Sequence, residues 1–426
     1  MSEHWISTTL GEYILFKNGK SSPSRDIAED IPVYGSNGII GFSSESNAEE
    51  DSLIIGRVGS YCGSVYHSKK KCWVTDNAII GLPKVKGESE FWYFLLTKLQ
   101  LNSYRSGSGQ PLVNQSTLNS IPVEIPKSPS VRQAIGKQLF SFENKIYLNN
   151  QINQTLESIA QAIFKSWFID FDPVRAKIAA KQEGKDPELA AMCAISGKSE
   201  TELEQMAEDD LAELHATAAL FPDELVESEL GEVPKGWEYK KLKNLCRVIN
   251  GRAYKNTEFK DEGIPIVRIQ NLTGGGKTVF SDLDLPQDKL IEKEDFIYAW
   301  SATFGPYIWR GPKSIYHYHI WKMDVNETII SRYFLYLTMF RKTESMKSAG
   351  TGSIFTHLTK AIMESQDVLI ADNAINMLFK DRIDKIFKLI SLKSDEIKNL
   401  KNIRDTLLPK LLSGEVEIPD FINEGE

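Results

Sequence analysis

The chain has 426 residues, with 50 lysines and arginines against 58 aspartates and glutamates, for a formal net charge of −8. Its 41% hydrophobic, 25% charged and 10% aromatic content excludes wholesale disorder and supports real cores in two or three domains. No apolar run reaches the ~20 residues of a membrane-spanning helix, and an acidic total argues, before the charge is mapped, against a nucleic-acid partner.

The opening MSEHWISTTLGEY lacks the basic-then-apolar layout of a signal peptide. Four cysteines (Cys62, Cys72, Cys193, Cys246) without CxxC spacing fit a reducing cytosol, and the expected compartment is cytoplasmic. Residues 1–127 carry short β-branched runs between Gly and Asn-Gly turns, such as IPVYGSNGIIG and DSLIIGRVGSYCGSVY, with one helical segment at Phe91–Leu99. Residues 128–171 read as one long helix. Ile135, Phe142, Asn149, Leu156 and Ile163 form one seam, and Leu139, Ile146, Asn153, Ala160 and Trp167 the other, a heptad pattern that ends at Pro173.

Residues 172–236 are rich in alanine and acidic side chains and read as a partly helical linker. Residues 237–372 repeat the strand-and-turn character, in IPIVRIQNLTGG and others, with a helix at Arg332–Phe340. A second heptad helix fills 373–416. Phe379, Ile386, Lys393, Leu400 and Leu407 run beside Ile383, Ile390, Ile397, Arg404 and Leu411, and the helix stops at Ser413-Gly414 before a tail, 417–426. Helices of ~35 residues span about 50 Å and make rigid spacers. The fold class is α+β.

The halves are related. Trp5, Leu10 and Asn18-Gly19 recur 232 residues later as Trp237, Leu242 and Asn250-Gly251. Leu156, Ile159 and Ile163 recur 244 later as Leu400, Ile403 and Leu407. A shift that grows smoothly is what loop insertions do to a tandem duplication. The charge is also local: residues 172–236 hold 16 acidic and 6 basic side chains, a net of −10, and 237–372 carry +3. A basic face is therefore not excluded elsewhere.

Candidate polyanion contacts follow from chemistry and loop placement. Lys69, Lys70 and Lys71 occupy an apparent hairpin loop and suit phosphate, although for the run taken alone a solvated turn is the preferred reading. The glycine loops at 107–110 and 350–353 are equivalent in the repeats, and Arg105, Ser108 and Gln110 in one, with Lys347, Thr351 and Ser353 in the other, suit phosphates or base edges. Arg268, Gln270 and Asn271 carry base-contact chemistry beside the Gly274–Lys277 loop, which lacks full phosphate-loop spacing. Arg57 belongs to the same set. Tyr316–His319 alternates aromatic and imidazole groups on an expected strand. His317 and His319 there are too few ligands for a zinc site and read first as a polar, partly exposed strand face, which would meet the groove if the domain reads DNA. No triad, HExxH, dinucleotide fingerprint or methyltransferase motif occurs, so the chain reads as non-catalytic.

Local strings then carry a resemblance. FKSWFIDFDP at Phe164–Pro173, ELGEVPKGW at Glu229–Trp237 and LLPKLLSGEV at Leu407–Val416, in this order across a duplicated chain, resemble Type I restriction–modification specificity (S) subunits. The resemblance implies two tandem target-recognition domains, each followed by a long helix, with the helices packed as an antiparallel coiled coil. It implies a non-enzymatic subunit that reads a split, asymmetric site on double-stranded DNA with a helical ruler. Two methyltransferase (M) subunits and restriction (R) subunits would be its partners, with no membrane. The chain itself would carry no cofactor; S-adenosylmethionine, ATP and Mg would belong to the partner subunits. Asn149 and Asn153 would set helix register, and Ile152, Ile159 and Phe168 would dock methyltransferase helices. The alternative is a coiled-coil scaffold whose two globules bind proteins.

Overall fold

A computed structural model describes residues 4–105, 112–301, 304–348 and 358–416, with the side chains of 345–348 set aside. It divides into two compact units, residues 1–149 with 396–426, and residues 150–395. The division falls inside both long helices, Pro129–Phe168 and Asn373–Leu411.

Among its described residues the first unit holds nine strands: β1 (Trp5–Thr9), β2 (Ile14–Asn18), β3 (Ile31–Gly35), β4 (Gly38–Ser43), β5 (Ser52–Gly56), β6 (Val65–Ser68), β7 (Trp73–Val74), β8 (Ala78–Pro83) and β9 (Pro122–Pro126). β1 and β9 pair antiparallel. A four-stranded sheet runs β2-β8-β5-β6, and a three-stranded one β4-β3-β7, in which β3 and β7 are parallel. β5 is buried at every position, which is why SLIIG reads as a continuous apolar run rather than an alternation. The helix Ser89–Lys98 packs Phe91, Trp92, Leu95 and Leu96 into the same core as Leu53, Ile55 and Ile79.

In the second unit, a hairpin of β10 (Leu225–Ser228) and β11 (Gly231–Pro234) precedes the duplicated fold. There β12 (Glu238–Lys241) pairs with β21 (Asp367–Ile370), as β1 does with β9. β13 (Cys246–Asn250), β20 (Ile320–Val325), β17 (Phe296–Ala299) and β18 (Gly305–Ile308) form a sheet in that order, matching β2-β8-β5-β6. The other sheet runs β15 (Val279–Ser281), β14 (Ile264–Val267), β19 (Ser314–Tyr316) and β16 (Leu290–Ile291), and again its β14–β19 pair is parallel. The duplication read from Trp5 and Trp237 thus extends to strand order and pairing sense.

The glycines of the two Asn-Gly pairs have one physical reason. A Cβ added at Gly19 would lie 2.1 Å from the Thr75 carbonyl oxygen, and one added at Gly251 would lie 2.3 Å from that of His317. Only glycine lets the backbone pass so close.

The acidic segment is mainly helical, with helices at Asp172–Gln182, Pro187–Ser196, Glu200–Leu203 and Glu208–Leu220. Ala191, Met192, Leu203, Leu214 and Ala218 give it a small core of its own. Lys177 is buried and ties it together, donating to the Phe221 carbonyl at 2.8 Å and pairing with Glu188 at 2.9 Å. Pro173 does not simply stop the long helix. That helix ends at Phe168, Phe171 takes a left-handed conformation (φ 56°), and Pro173 lies in the first turn of the next helix, where its missing N–H costs nothing.

An aromatic cluster closes the second unit. Phe164, Trp167 and Phe168 of the first long helix meet Phe379 of the second, together with Phe334, Trp237 and Phe221. Each fully buried ring of this kind contributes ~1.5–3 kcal/mol.

Candidate nucleic-acid interface

In the first unit the structure separates the basic candidates. Lys69 and Lys70 follow β6, and the loop joins β6 of one sheet to β7 of the other instead of closing a hairpin. Lys69 is ion-paired with Glu90, lies 3.9 Å from Asp51, and stands over the Phe140 ring at 4.4 Å. Lys71 lies 3.4 Å from Glu49, and Lys70 is exposed. Arg57 follows the opposite end of β5, about 15 Å away at ~3.3 Å per residue. There its Nη1 donates to the Asp76 carbonyl at 3.2 Å, and its own carbonyl accepts from the Val113 N–H at 3.0 Å. Arg105 is exposed at this end and opposes the rise that burial gives the Cys62 thiol, whose Sγ bonds the Arg57 carbonyl. Ser108 and Gln110 lie outside the described residues.

In the second unit the candidates converge. His317 and His319 are not on a strand, as the alternation suggested. His317 makes a single parallel bridge to Arg252, and Tyr318 and His319 form the turn between β19 and β20. Burial first, then the neighbouring His319 and Arg268, push the His317 imidazole down to about 4, and burial lowers His319 too. A neutral imidazole offers one donor and one acceptor. The Tyr254 ring stacks 6.4 Å from His317.

Arg268 donates to the Lys277 carbonyl and faces the Phe259 ring, with Gln270 beside it. Asn271 is less available than its chemistry suggested, because its Oδ1 accepts from the Arg268 N–H at 3.0 Å and its Nδ2 donates to the Gly275 carbonyl at 3.3 Å. Lys277 is exposed, 3.3 Å from Asp261. Thr351 and Ser353 lie outside the described residues, and the side chain of Lys347 is likewise not described.

The two sites share a main-chain frame. Arg57 N–H donates to the Asn77 carbonyl at 2.9 Å, and Trp300 N–H to that of His319 at 3.1 Å. Thr75 N–H bonds Tyr34 at 2.9 Å, and His317 N–H bonds Val267 at 3.0 Å. Gly19 N–H bonds Ala78 at 3.1 Å, and Gly251 N–H bonds Ile320 at 3.2 Å. Trp300, not singled out in the sequence, takes the place of Arg57, and Tyr318, named there only as part of the Tyr316–His319 run, takes that of Asp76. Aligning the repeats around Gly56-Arg57 and Ala299-Trp300 would have found them.

Of the expected docking residues, Ile152 and Ile159 are 39% and 44% exposed. Phe168 is not available: it is 3% exposed, stacked on Phe164 and met edge to face by Phe334 and Phe379. The helix face is wider there than two seam positions because the globule of this unit packs on it. Among the described residues no group of histidine, cysteine and carboxylate side chains could hold a metal ion, and no helix is long and apolar enough to cross a membrane.

The family model described as Type I restriction modification DNA specificity domain matches residues 2–158 and 234–402, covering both copies of the fold. The chain belongs to this family. The Type I restriction enzyme HindI specificity subunit of Haemophilus influenzae is 33% identical over 382 residues, covering 82% of this chain and 81% of that protein. The MjaIX specificity subunit of Methanocaldococcus jannaschii is 26% identical over 358 residues, covering 80% and 72%. The crystal structure of a Type I restriction-modification S subunit from M. genitalium shares the fold, with a TM-score of 0.61 at 14% identity over 99% of this chain and 98% of that one. As a specificity-family member, the chain is a non-catalytic subunit with target-recognition domains and carries no cofactor of its own.

Proposed function

We propose that the chain is the DNA-reading subunit of a Type I restriction–modification complex in the cytoplasm, with residues 1–127 and 237–372 each recognising one half of a split, asymmetric site. The observation that carries this reading is one main-chain frame built twice with different side chains at the turn, Asp76-Asn77 in one copy and Tyr318-His319 in the other. Equivalent frames suit equivalent placement against DNA, and unlike side chains suit unlike half-sites. In this reading the helices 128–171 and 373–416 pair antiparallel and set the number of unread bases between the halves. Supporting contacts are Arg404 on Glu143 and Lys145 on Glu396 in the first unit, and Phe164 against Phe379 and Asn153 Nδ2 donating to Ser394 Oγ in the second. In each unit, later residues of one helix meet earlier residues of the other.

Ile152 and Ile159 would contribute to docking two methyltransferase subunits, with restriction subunits joining that core. S-adenosylmethionine, ATP and Mg would act on the partners. The segment 172–236, with its net charge of −10, would stay clear of the DNA path. Methylation mapping of the complex with its methyltransferase subunits tests the reading. A bipartite motif is expected, and no bipartite preference would refute it. Insertion of seven residues in each long helix should change the unread spacing; an unchanged spacing would refute the ruler.

A further inference from the structure

Beyond the shared backbone, one side-chain contact is repeated with a different residue. In the first unit Arg57 Nη1 donates to the Asp76 carbonyl at 3.2 Å; in the second, Trp300 Nε1 donates to the Tyr318 carbonyl at 2.8 Å. Both residues follow the last position of an inner strand of the four-stranded sheet, β5 or β17, and both pin the peptide of the turn entering β8 or β20. The turn side chains project from that anchor: Asp76, Asn77 and Tyr318 are exposed, and His319 half-buried. In the second unit the Trp300 ring lies 6.1 Å from Tyr318 and 5.3 Å from His319, so three rings form one surface.

We infer that these three positions are the specificity cassette of each unit, Arg57-Asp76-Asn77 in the first and Trp300-Tyr318-His319 in the second. The inference rests on the reading above that each unit contacts one half-site. The chemistry of the two sets differs in kind. The first presents a guanidinium, a carboxylate and an amide, which suit hydrogen bonds to guanine, to the cytosine amino group and to adenine respectively. The second presents aromatic faces and a neutral imidazole, which suit a thymine methyl and a single donor–acceptor contact. Position 57 or 300 also fixes the turn by its own hydrogen bond, so it acts on the neighbouring two positions as well as on DNA. Such a unit is exchangeable because the three main-chain bonds that frame the turn are common to both copies.

The test transplants the set. A chain carrying Arg57→Trp, Asp76→Tyr and Asn77→His is expressed with its methyltransferase subunits, and methylated adenines are mapped by sequencing. The half-site read by the first unit should lose or change preference tenfold or more at one or more base pairs, while the other half-site and the spacing stay as in the wild type. The retained half-site reports that the complex has assembled. An unchanged first half-site overturns the inference and leaves the reading of function standing. A wild-type complex without a bipartite motif overturns both. Should the triple variant abolish methylation, Asn77→Ala and His319→Ala are read singly. Each should relax one base pair in its own half-site, and a fully retained motif with both overturns the inference.

Discussion

Arg132 donates through Nε and Nη2 to one carboxylate oxygen of Glu88, at 2.9 and 2.7 Å, with both side chains almost wholly buried. Arg132 Nη1 also donates to the carbonyls of Pro126 and Lys127, and Trp92 Nε1 donates to the second Glu88 oxygen at 3.0 Å. The pair joins the first turn of a long helix to the start of the helix Ser89–Lys98. Removing one partner strands a desolvated charge, so Arg132→Met should destabilise the protein by about 3–5 kcal/mol in denaturant unfolding, and adding Glu88→Leu should recover much of that loss. Asn376 lies at the matching place in the second long helix, its Nδ2 donating to the Ala371 carbonyl at 2.7 Å, so the repeat keeps a buried polar anchor without the charge.

Gly19→Ala and Gly251→Ala should each destabilise the protein by about 2 kcal/mol or more, because the added methyl meets backbone, not a side chain that can swing aside. Thermal melting of the two variants reads this directly. A change under half a kcal/mol in either would contradict the close approach.

The imidazole of His317 titrates at about 4 in the fold, below the ~6.5 of an unfolded histidine. Between those values the unfolded chain binds a proton that the fold resists. The stability His317 confers is therefore complete above pH 6.5 and falls as the pH drops toward 4. Denaturant unfolding at pH 7.5 and 5 should show a smaller acid loss for His317→Gln than for the wild type. Equal losses would show that another group is responsible.

Asn149 is fully buried, and neither amide atom has a hydrogen-bond partner among the described residues. Asn149→Leu should raise stability by about 1–2 kcal/mol, because an unpaired buried amide costs that much. If register depends on this residue, the same variant should broaden the methylated motif to more than one spacing. Lower stability would show that the amide is satisfied in solution.

Much of the architecture was legible because duplication writes the same constraint twice. Gly19 and Gly251 both answer a backbone clash that no other residue escapes. The heptads mark the two long helices but leave Phe168 facing outward, whereas the fold buries it. Its burial comes from Phe334 and Trp237, far away in sequence, and no helical period encodes them. Trp300 sits in YAWSA, which has no local signal. Its partner is 18 residues away and meets it only through the β17–β20 pairing. The lysine run looked like a free cationic loop because Asp51 and Glu90 reach it through the sheet and the helix Ser89–Lys98.

That last arrangement bears on ionic strength. A polyanion's attraction to cationic side chains is expressed as counterions set free, and a lysine already held by carboxylates frees few. Lys69, clasped by Glu90 near Asp51, and Lys71, beside Glu49, each already stand next to a carboxylate. In the proposed DNA-reading role, the slope of affinity against salt would then count fewer ions than a tally of lysines suggests.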